Sequence, residues 1–363
     1  MPRTPILSCL VMFFLPALSH AQQPERYSLA EGDAAIYNLV GKLRVEPGNG
    51  AVTVEMTRTG ADAARLKVAQ GEIGGRSTLR VIYPSDAIRY AAGGEKSSTR
   101  LRVREDGTFG DFDDDNDDHH ERHGRHAGEE GRRVTISSEG PGLAARADLL
   151  VRVPRGQRVA VFLAVGAVTV GNVDGDLRVD ASSAPVTATG TRGALKIEVG
   201  SGPVQVAEAT GELDVDTGSG SVDLSRVRGG PLSVETGSGD VTATDLESTG
   251  LTVETGSGDI RLTGVAAPEL SLEAGSGGIT AELRRDVASL EVQTGSGDIA
   301  IRAPASLGAT VEIETSSGDI DTDFPLQVTR RGRDHVSGSI GDGKGTIEIE
   351  TGSGQVSLLK AQS

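Results

Sequence analysis

The chain has 363 residues, among them 50 Gly, 14 Pro, six Phe, four Tyr and no Trp, and a formal net charge of −16. A hydrophobic content of 36% is too high for a disordered chain, and so much glycine rules out a helical bundle. The acidic balance excludes a non-specific nucleic-acid binder, which needs a basic face.

Residues 1–21, MPRTPILSCLVMFFLPALSHA, read as a cleaved secretory signal. Arg3 precedes an apolar run over 6–18, and Ser19-His20-Ala21 places small residues where the cleaving peptidase needs them. The run is too short to span a bilayer and contains Pro16. Cleavage removes Cys9, the single cysteine, so the mature fold rests on packing and hydrogen bonds without a disulfide. The expectation is an exported protein of the periplasm, cell surface or extracellular space.

Residues 22–158 read as an irregular β N-terminal cap, with strand-like stretches at 51–57, 66–69 and 79–83. The segment 43–52, LRVEPGNGAV, fits the frame of the repeat that follows downstream. Tyr27, Tyr37, Tyr83 and Tyr90 all lie in this region, as a cap with a less regular core requires. An insertion at 106–133 holds ten acids, four Arg and His119, His120, His123 and His126. Carboxylates with imidazoles suit a divalent cation, but the calcium-loop frame set by Asp111, Asp113 and Asp115 puts Asn116 where the turn needs glycine. The insertion reads first as a solvated, disordered segment, with weak cation affinity as the alternative. No metal ligand is assigned there.

From residue 159 onward a repeat governs the chain. The frame reads LRVDASSAPV, LKIEVGSGPV, LDVDTGSGSV, LSVETGSGDV, LTVETGSGDI, LSLEAGSGGI, LEVQTGSGDI, VEIETSSGDI and IEIETGSGQV. Its central serines are Ser183, Ser201, Ser219, Ser238, Ser257, Ser276, Ser296, Ser317 and Ser353, spaced by 18 to 21 residues until a final gap of 36. That gap holds a degenerate copy, VSGSI at 336–340, and another degenerate copy begins at Val159. Within each unit apolar and polar residues alternate, the period of a half-buried strand. The Gly-Ser-Gly between the two strands is expected to supply the positive-φ positions of a sharp corner. One unit is too short to bury its own apolar face, so units must stack. The expected fold is all-β: a parallel β-solenoid of about eleven coils of 18–21 residues, over 159–363, closed by the irregular cap. A β-propeller is the runner-up, although its blades need about 40 residues.

Stacking aligns the outward residue that precedes the turn: Asp180, Glu198, Asp216, Glu235, Glu254, Glu273, Gln293, Glu314 and Glu350, eight acids of nine. A partial second row, Asp240, Asp259, Asp298 and Asp319, follows the turn. Such a face either solubilises the rod and discourages edge pairing, or holds cations or a basic partner. Catalysis finds little footing, because residues 165–323 contain no His, Tyr, Trp or Phe. Glycan-binding surfaces usually stack sugar rings on aromatics, and this stretch has none. One cluster stands apart: Asp321, Asp323, Asp334 and His335 with Arg330, Arg331 and Arg333, which reads as a polar loop closing the last coils. The glycine-rich 338–346 is no phosphate loop, since no helical pattern follows it. No catalytic and no cofactor-binding residue is assigned.

The iterated ETGSGD units, the stretch VPRGQRVAVFLAVGAVTVGNVDGDL at 153–177 and FPLQVTRRGRDHVSGSIGDGKG at 324–345 resemble a bacterial β-strand-repeat adhesin-type family, domain of unknown function 4097. The resemblance implies a secreted or envelope-associated β-solenoid with no assigned catalysis, and it carries over no functional residues. The Asp/His-rich insertion is outside what it explains. The leading expectation is an exported, non-enzymatic repeat protein whose extended acidic surface meets a cell-surface or envelope component, as an adhesin does. A periplasmic scaffold that self-associates end to end is the alternative, favoured if the final strand, 355–359, leaves an open coil. A polysaccharide-active solenoid enzyme is the third reading. No nucleic-acid partner and no transmembrane span in the mature chain are expected.

Overall fold

The computed structural model describes residues 24–30, 32–90, 97–110, 131–332 and 334–361. Within them the chain is all-β, apart from one short 3₁₀ turn at Ala63–Arg65. Residues 1–21, expected to be a signal, and most of the acidic insertion, 111–130, lie outside the described residues.

The repeat organises two rows of parallel strands. In the first row each leading leucine sits beside the next, Leu177, Leu195, Leu213, Leu232, Leu251, Leu270 and Leu290 in turn. In the second row Val168, Val186, Val204, Val222, Val241, Ile260, Ile279 and Ile299 do the same. A shorter third line, Val227, Leu246 and Val265, lies on the return path between them. All these side chains are buried. Alternation on a strand sends every second residue inward, and repetition of the unit superposes like on like.

The turn glycines meet the sequence expectation in part: the second glycine of the turn has a positive φ, 139 to 159°, at Gly202, Gly277, Gly297, Gly318 and Gly354. At Gly220, Gly239 and Gly258 the backbone φ is outside the left-handed range, so a turn conformation does not demand glycine there. What demands it is a neighbour: a Cβ on Gly258 would stand 2.1 Å from the carbonyl oxygen of Gly239, one unit back. A further left-handed position lies elsewhere in the unit, on the return path, at Asn172, Gly190, Glu208, Arg226, Asp245 and Gly264. The threonine of ETGSGD points inward and donates its hydroxyl to the same layer of carbonyls, as in Thr255 to Gly239 at 3.2 Å and Thr294 to Gly277 at 3.0 Å. Close packing of turns thus leaves no room for a side chain, and the buried hydroxyls of Thr236, Thr255, Thr294, Thr315 and Thr351 are satisfied by the backbone they touch, whereas that of Thr217 has no partner among the described residues.

Spatial order departs from chain order at the C-terminal end. Ser289–Thr294 pairs with Gly345–Thr351, and Ala309–Thr315 lies on the far side of that strand. In the second row Val356–Lys360 likewise sits between Ile299–Ala303 and Ile320–Thr322. The last strands of the chain are therefore interior. The true end of the first row is Ala309–Thr315, covered by the antiparallel strand His335–Ile340, itself covered by Gln327–Arg331. VSGSI belongs to this antiparallel cover and is not a repeat unit. The strand expected to leave an open coil, 355–359, is thus interior, and the strand at the end of the second row is Ile320–Thr322.

At the other end Ala34–Gly48 runs parallel to Gln157–Gly171, with Ile36 beside Val161, Tyr37 beside Phe162 and Leu43 beside Val168. Leu43 thus takes the second-row position, so the alignment of 43–52 with the leading strand of the repeat is corrected by one strand. Beyond Ala34–Gly48 stand Arg76–Ile82 and Arg146–Pro154, still parallel. Antiparallel strands then close each row: Lys67–Ile73 on one, Thr53–Thr59 and Glu25–Ser28 on the other. Antiparallel strands thus finish both rows at this end and the first row at the other, which keeps those parallel edges covered, while the second row ends on Ile320–Thr322. A separate sheet of Ala87–Arg89, Arg132–Ser137 and Ser98–Val103 carries the two stems of the insertion.

Candidate functional site

The outward acids expected to stack do so. Asp180 pairs with Glu198, Glu198 with Asp216, and the row continues through Glu235, Glu254 and Glu273 to Gln293. The inverted order then gives Gln293, Glu350, Glu314, and the antiparallel cover places His335 opposite Glu314. Parallel strands stand about 4.8 Å apart, so this is a line of carboxylates at nearly that interval.

Its two ends differ. Before Asp180 the row holds Phe162 and Tyr37, whose rings stack with centroids 4.3 Å apart. Phe109, at the stem of the insertion, covers both edge-on at 5.8 and 6.5 Å. Burial in this aromatic cluster raises the Tyr37 hydroxyl far above its usual range. Gly110 then lies against the Asp180 carboxylate, where a Cβ would come within 2.8 Å of it. The acidic insertion accordingly leaves the fold where the acidic row begins.

Neutralisation is uneven along the row. Glu198 has Arg178 at 2.9 Å and Lys196 at 3.2 Å, and Lys196 also reaches Asp214. Farther on, the residues two positions earlier are Ser233, Thr252 and Ser271, which carry no charge. Among the described residues no basic side chain pairs with Asp216, Glu235, Glu254 or Glu273. Partial burial and then the charges of Glu198 and Asp214 raise the Asp216 carboxyl. Partial burial and then Asp216 and Glu254 do the same to Glu235.

The second acidic row is another matter. Asp240 accepts the backbone N–H of Asp259 at 2.9 Å, Asp259 that of Gly278 at 2.8 Å, and Asp298 that of Gln355 at 2.8 Å. The Gly278 N–H above all, with Arg261, holds the Asp259 carboxyl below its ordinary value against the opposing effect of burial. These aspartates tie one unit to the next and are structural, a role that periodicity alone did not reveal.

At the far end the first row widens into a block. Glu291, Glu348 and Glu312 run beside Gln293, Glu350 and Glu314 on the same outward face. His335 Nδ1 is 2.9 Å from Glu314 Oε1. Glu314, His335, Glu350, Arg330 and Arg331 line an open cleft of about 430 Å³. Of the acids read from sequence into this cluster, Asp334 lines the same cleft, while Asp321 and Asp323 go elsewhere. Asp323 accepts the Lys360 N–H, Asp321 stands beside Ser357 in the second row, and Asp334 contributes its carbonyl to Thr315. Arg333 is outside the described residues, as are the four histidines of the insertion. Sequence reasoning found His335 but missed Glu312 and Glu314 as its neighbours, because their proximity depends on an antiparallel pairing that no repeat encodes.

These features define a class: an all-β repeat protein of stacked parallel strands with one outward carboxylate row. The model of the Toastrack family, DUF4097, matches residues 143–359, and the chain belongs to that family. A solved structure from Clostridium sporogenes, described as a "putative cell adhesion protein", is similar at 11% identity over 93% of this chain and 99% of that one, with a TM-score of 0.22. No curated protein matches the chain.

Proposed function

We propose that this is an exported, non-enzymatic β-repeat protein that presents its carboxylate row as an extended surface to a cell-surface or cell-envelope component, in the manner of an adhesin. In this reading residues 1–21 are removed as a signal, 22–158 form the cap with its insertion, and 159–363 wind as a β-solenoid of about eleven coils. The observation that carries it is the register: acids from successive units align on one outward face, and the middle of that line has no basic partner among the described residues. A regular line of charge at about 4.8 Å suits an elongated basic or cation-bridged partner better than a small substrate. The reading includes no cofactor for the proposed role and no nucleic-acid partner. Among the described residues no helix is long and apolar enough to cross a membrane.

Protease shaving of intact cells, read with an antibody to residues 134–363, tests the placement. Cleavage in intact cells supports a surface role, and protection until the outer envelope is opened moves the protein to the periplasm. Loss of cell or matrix binding when Glu235, Glu254 and Glu273 are changed together to Gln tests the face. Unchanged binding by that variant refutes the acidic row as the contact.

A further inference from the structure

We propose that Glu312, Glu314 and His335 form a binding site for one divalent cation of the zinc or manganese class, at the end of the acidic row. Glu312 and Glu314 are two residues apart on Ala309–Thr315, so their side chains leave the same face of the strand. His335 lies directly opposite Glu314 on the antiparallel cover strand. Ligand atoms of the three residues all fall within 4.8 Å of one another.

The spacing of His335 and Glu314 matches adjacent ligands on one ion, and Glu312 lies within reach of the same point. Two donors about 2.0–2.1 Å from a cation, at angles between square and tetrahedral, are themselves about 2.9–3.4 Å apart. His335 Nδ1 and Glu314 Oε1 are 2.9 Å apart. The other ring nitrogen, Nε2, is enclosed and has no hydrogen-bond partner, so Nδ1 is the donor atom turned toward the carboxylates. Glu312 distinguishes this group from a simple ion pair: one carboxylate suffices for an imidazole, and the second serves a charge of two.

The donor set also selects the ion. Imidazole with two carboxylates suits borderline metals, whereas calcium takes six to eight oxygens and magnesium keeps several waters. Glu348 and Glu350, on the next strand of the same face, add negative potential around the site. Arg330 and Arg331 border the cleft from the cover side, and no ion pair joins them to these carboxylates among the described residues. A bound ion would tie the repeat to its antiparallel cover. Because Nε2 lacks the acceptor that usually orients a metal-bound imidazole, affinity should be modest, at least about tenfold below that of sites with such a partner. This site is independent of the surface reading above.

The test uses the full chain with His20, His119, His120, His123 and His126 changed to Asn, which leaves His335 as the single imidazole among six histidines. Zinc chloride is titrated while the imidazole nitrogen signals are followed by NMR and stoichiometry by calorimetry. One equivalent should shift the Nδ1 signal, and Glu312→Gln should weaken binding at least tenfold while the melting temperature of the metal-free protein holds. Glu273→Gln, in the middle of the row, should change affinity less than twofold. Imidazole signals that stay still while zinc binds, or unchanged affinity in Glu312→Gln, overturn the proposal. Should His335→Gln unfold the cover, Glu312→Gln still decides, since it leaves the His335–Glu314 pair in place.

Discussion

Neutralising Glu235 should stabilise the protein, although it deletes a charge from the surface of an acidic domain. Glu235 lies between Asp216 and Glu254 in the row, about 4.8 Å from each strand, and none of the three has a basic partner among the described residues. Two unit charges at that separation repel by about 0.9 kcal/mol in bulk water, and by more where the protein displaces solvent. Screening at physiological ionic strength removes roughly half of this, which leaves about 1 kcal/mol for the two neighbours together. Glu235→Gln should therefore gain about 1 kcal/mol in urea unfolding at pH 7 and physiological ionic strength, and more at low salt. The sign with pH follows from the same residues. Glu235 and Asp216 titrate above their ordinary values of 4.5 and 3.8, through partial burial first and neighbouring charge second. Their contribution to stability is thus fully present below those values and is lost as pH rises through the higher folded-state values. The wild-type chain should gain stability on acidification from pH 7 toward pH 5, and the advantage of Glu235→Gln should shrink over that range and in 0.5 M salt. A variant that is destabilised at low salt, or a gain indifferent to salt and pH, would show that the row is not electrostatically strained.

Other substitutions probe the layers beneath. Gly258→Ala puts a Cβ 2.1 Å from a carbonyl oxygen and should cost more than about 2 kcal/mol, while Gly250→Ala, with nothing within 4 Å, should stay within about 0.5 kcal/mol of wild type in the same urea titration. Asp259→Ala removes the acceptor for Gly278 N–H and the partner of Arg261, and should cost about 1–3 kcal/mol at pH 7. Asp259 titrates below its ordinary 3.8, so its contribution is present above that value and fades as pH falls through the lower folded-state value. The gap between variant and wild type should accordingly narrow below about pH 3.8 in pH-jump unfolding. Phe109→Ala uncovers the Tyr37–Phe162 stack and should cost about 3–5 kcal/mol, with a rise in tyrosine accessibility by solvent-perturbation spectroscopy.

Much of the architecture was legible before any coordinates. The repeat fixes which residues meet, because superposing identical units puts Leu251 on Leu232 and Glu254 on Glu235 whatever the wider shape. Alternation assigns inward and outward faces, and so the acidic row follows from spacing alone. The role of the turn glycines was not legible, since a glycine kept for φ and one kept for clearance look the same in sequence. Gly258 is the second kind, Gly277 and Gly297 combine clearance with a positive φ, and further left-handed positions fell to Glu208, Arg226 and Asp245, which no glycine pattern marks.

Near-identical units also make their order ambiguous. IEIETGSGQV can pair with LEVQTGSGDI as well as VEIETSSGDI can, because both partners offer the same apolar positions and the same turn. Only the tertiary structure decides that Gly345–Thr351 lies between them. The intervening His335–Ile340 pairs antiparallel with Ala309–Thr315 and is itself covered by Gln327–Arg331, which leaves the other edge of Ala309–Thr315 as the place where the returning chain can dock. That choice brings Glu350 next to Glu314 and His335 opposite it. Composition and period determined a stacked all-β repeat with acids on one face; the long-range pairing of its final strands, which depends on which edges remain free, decided what stands at the end of that face.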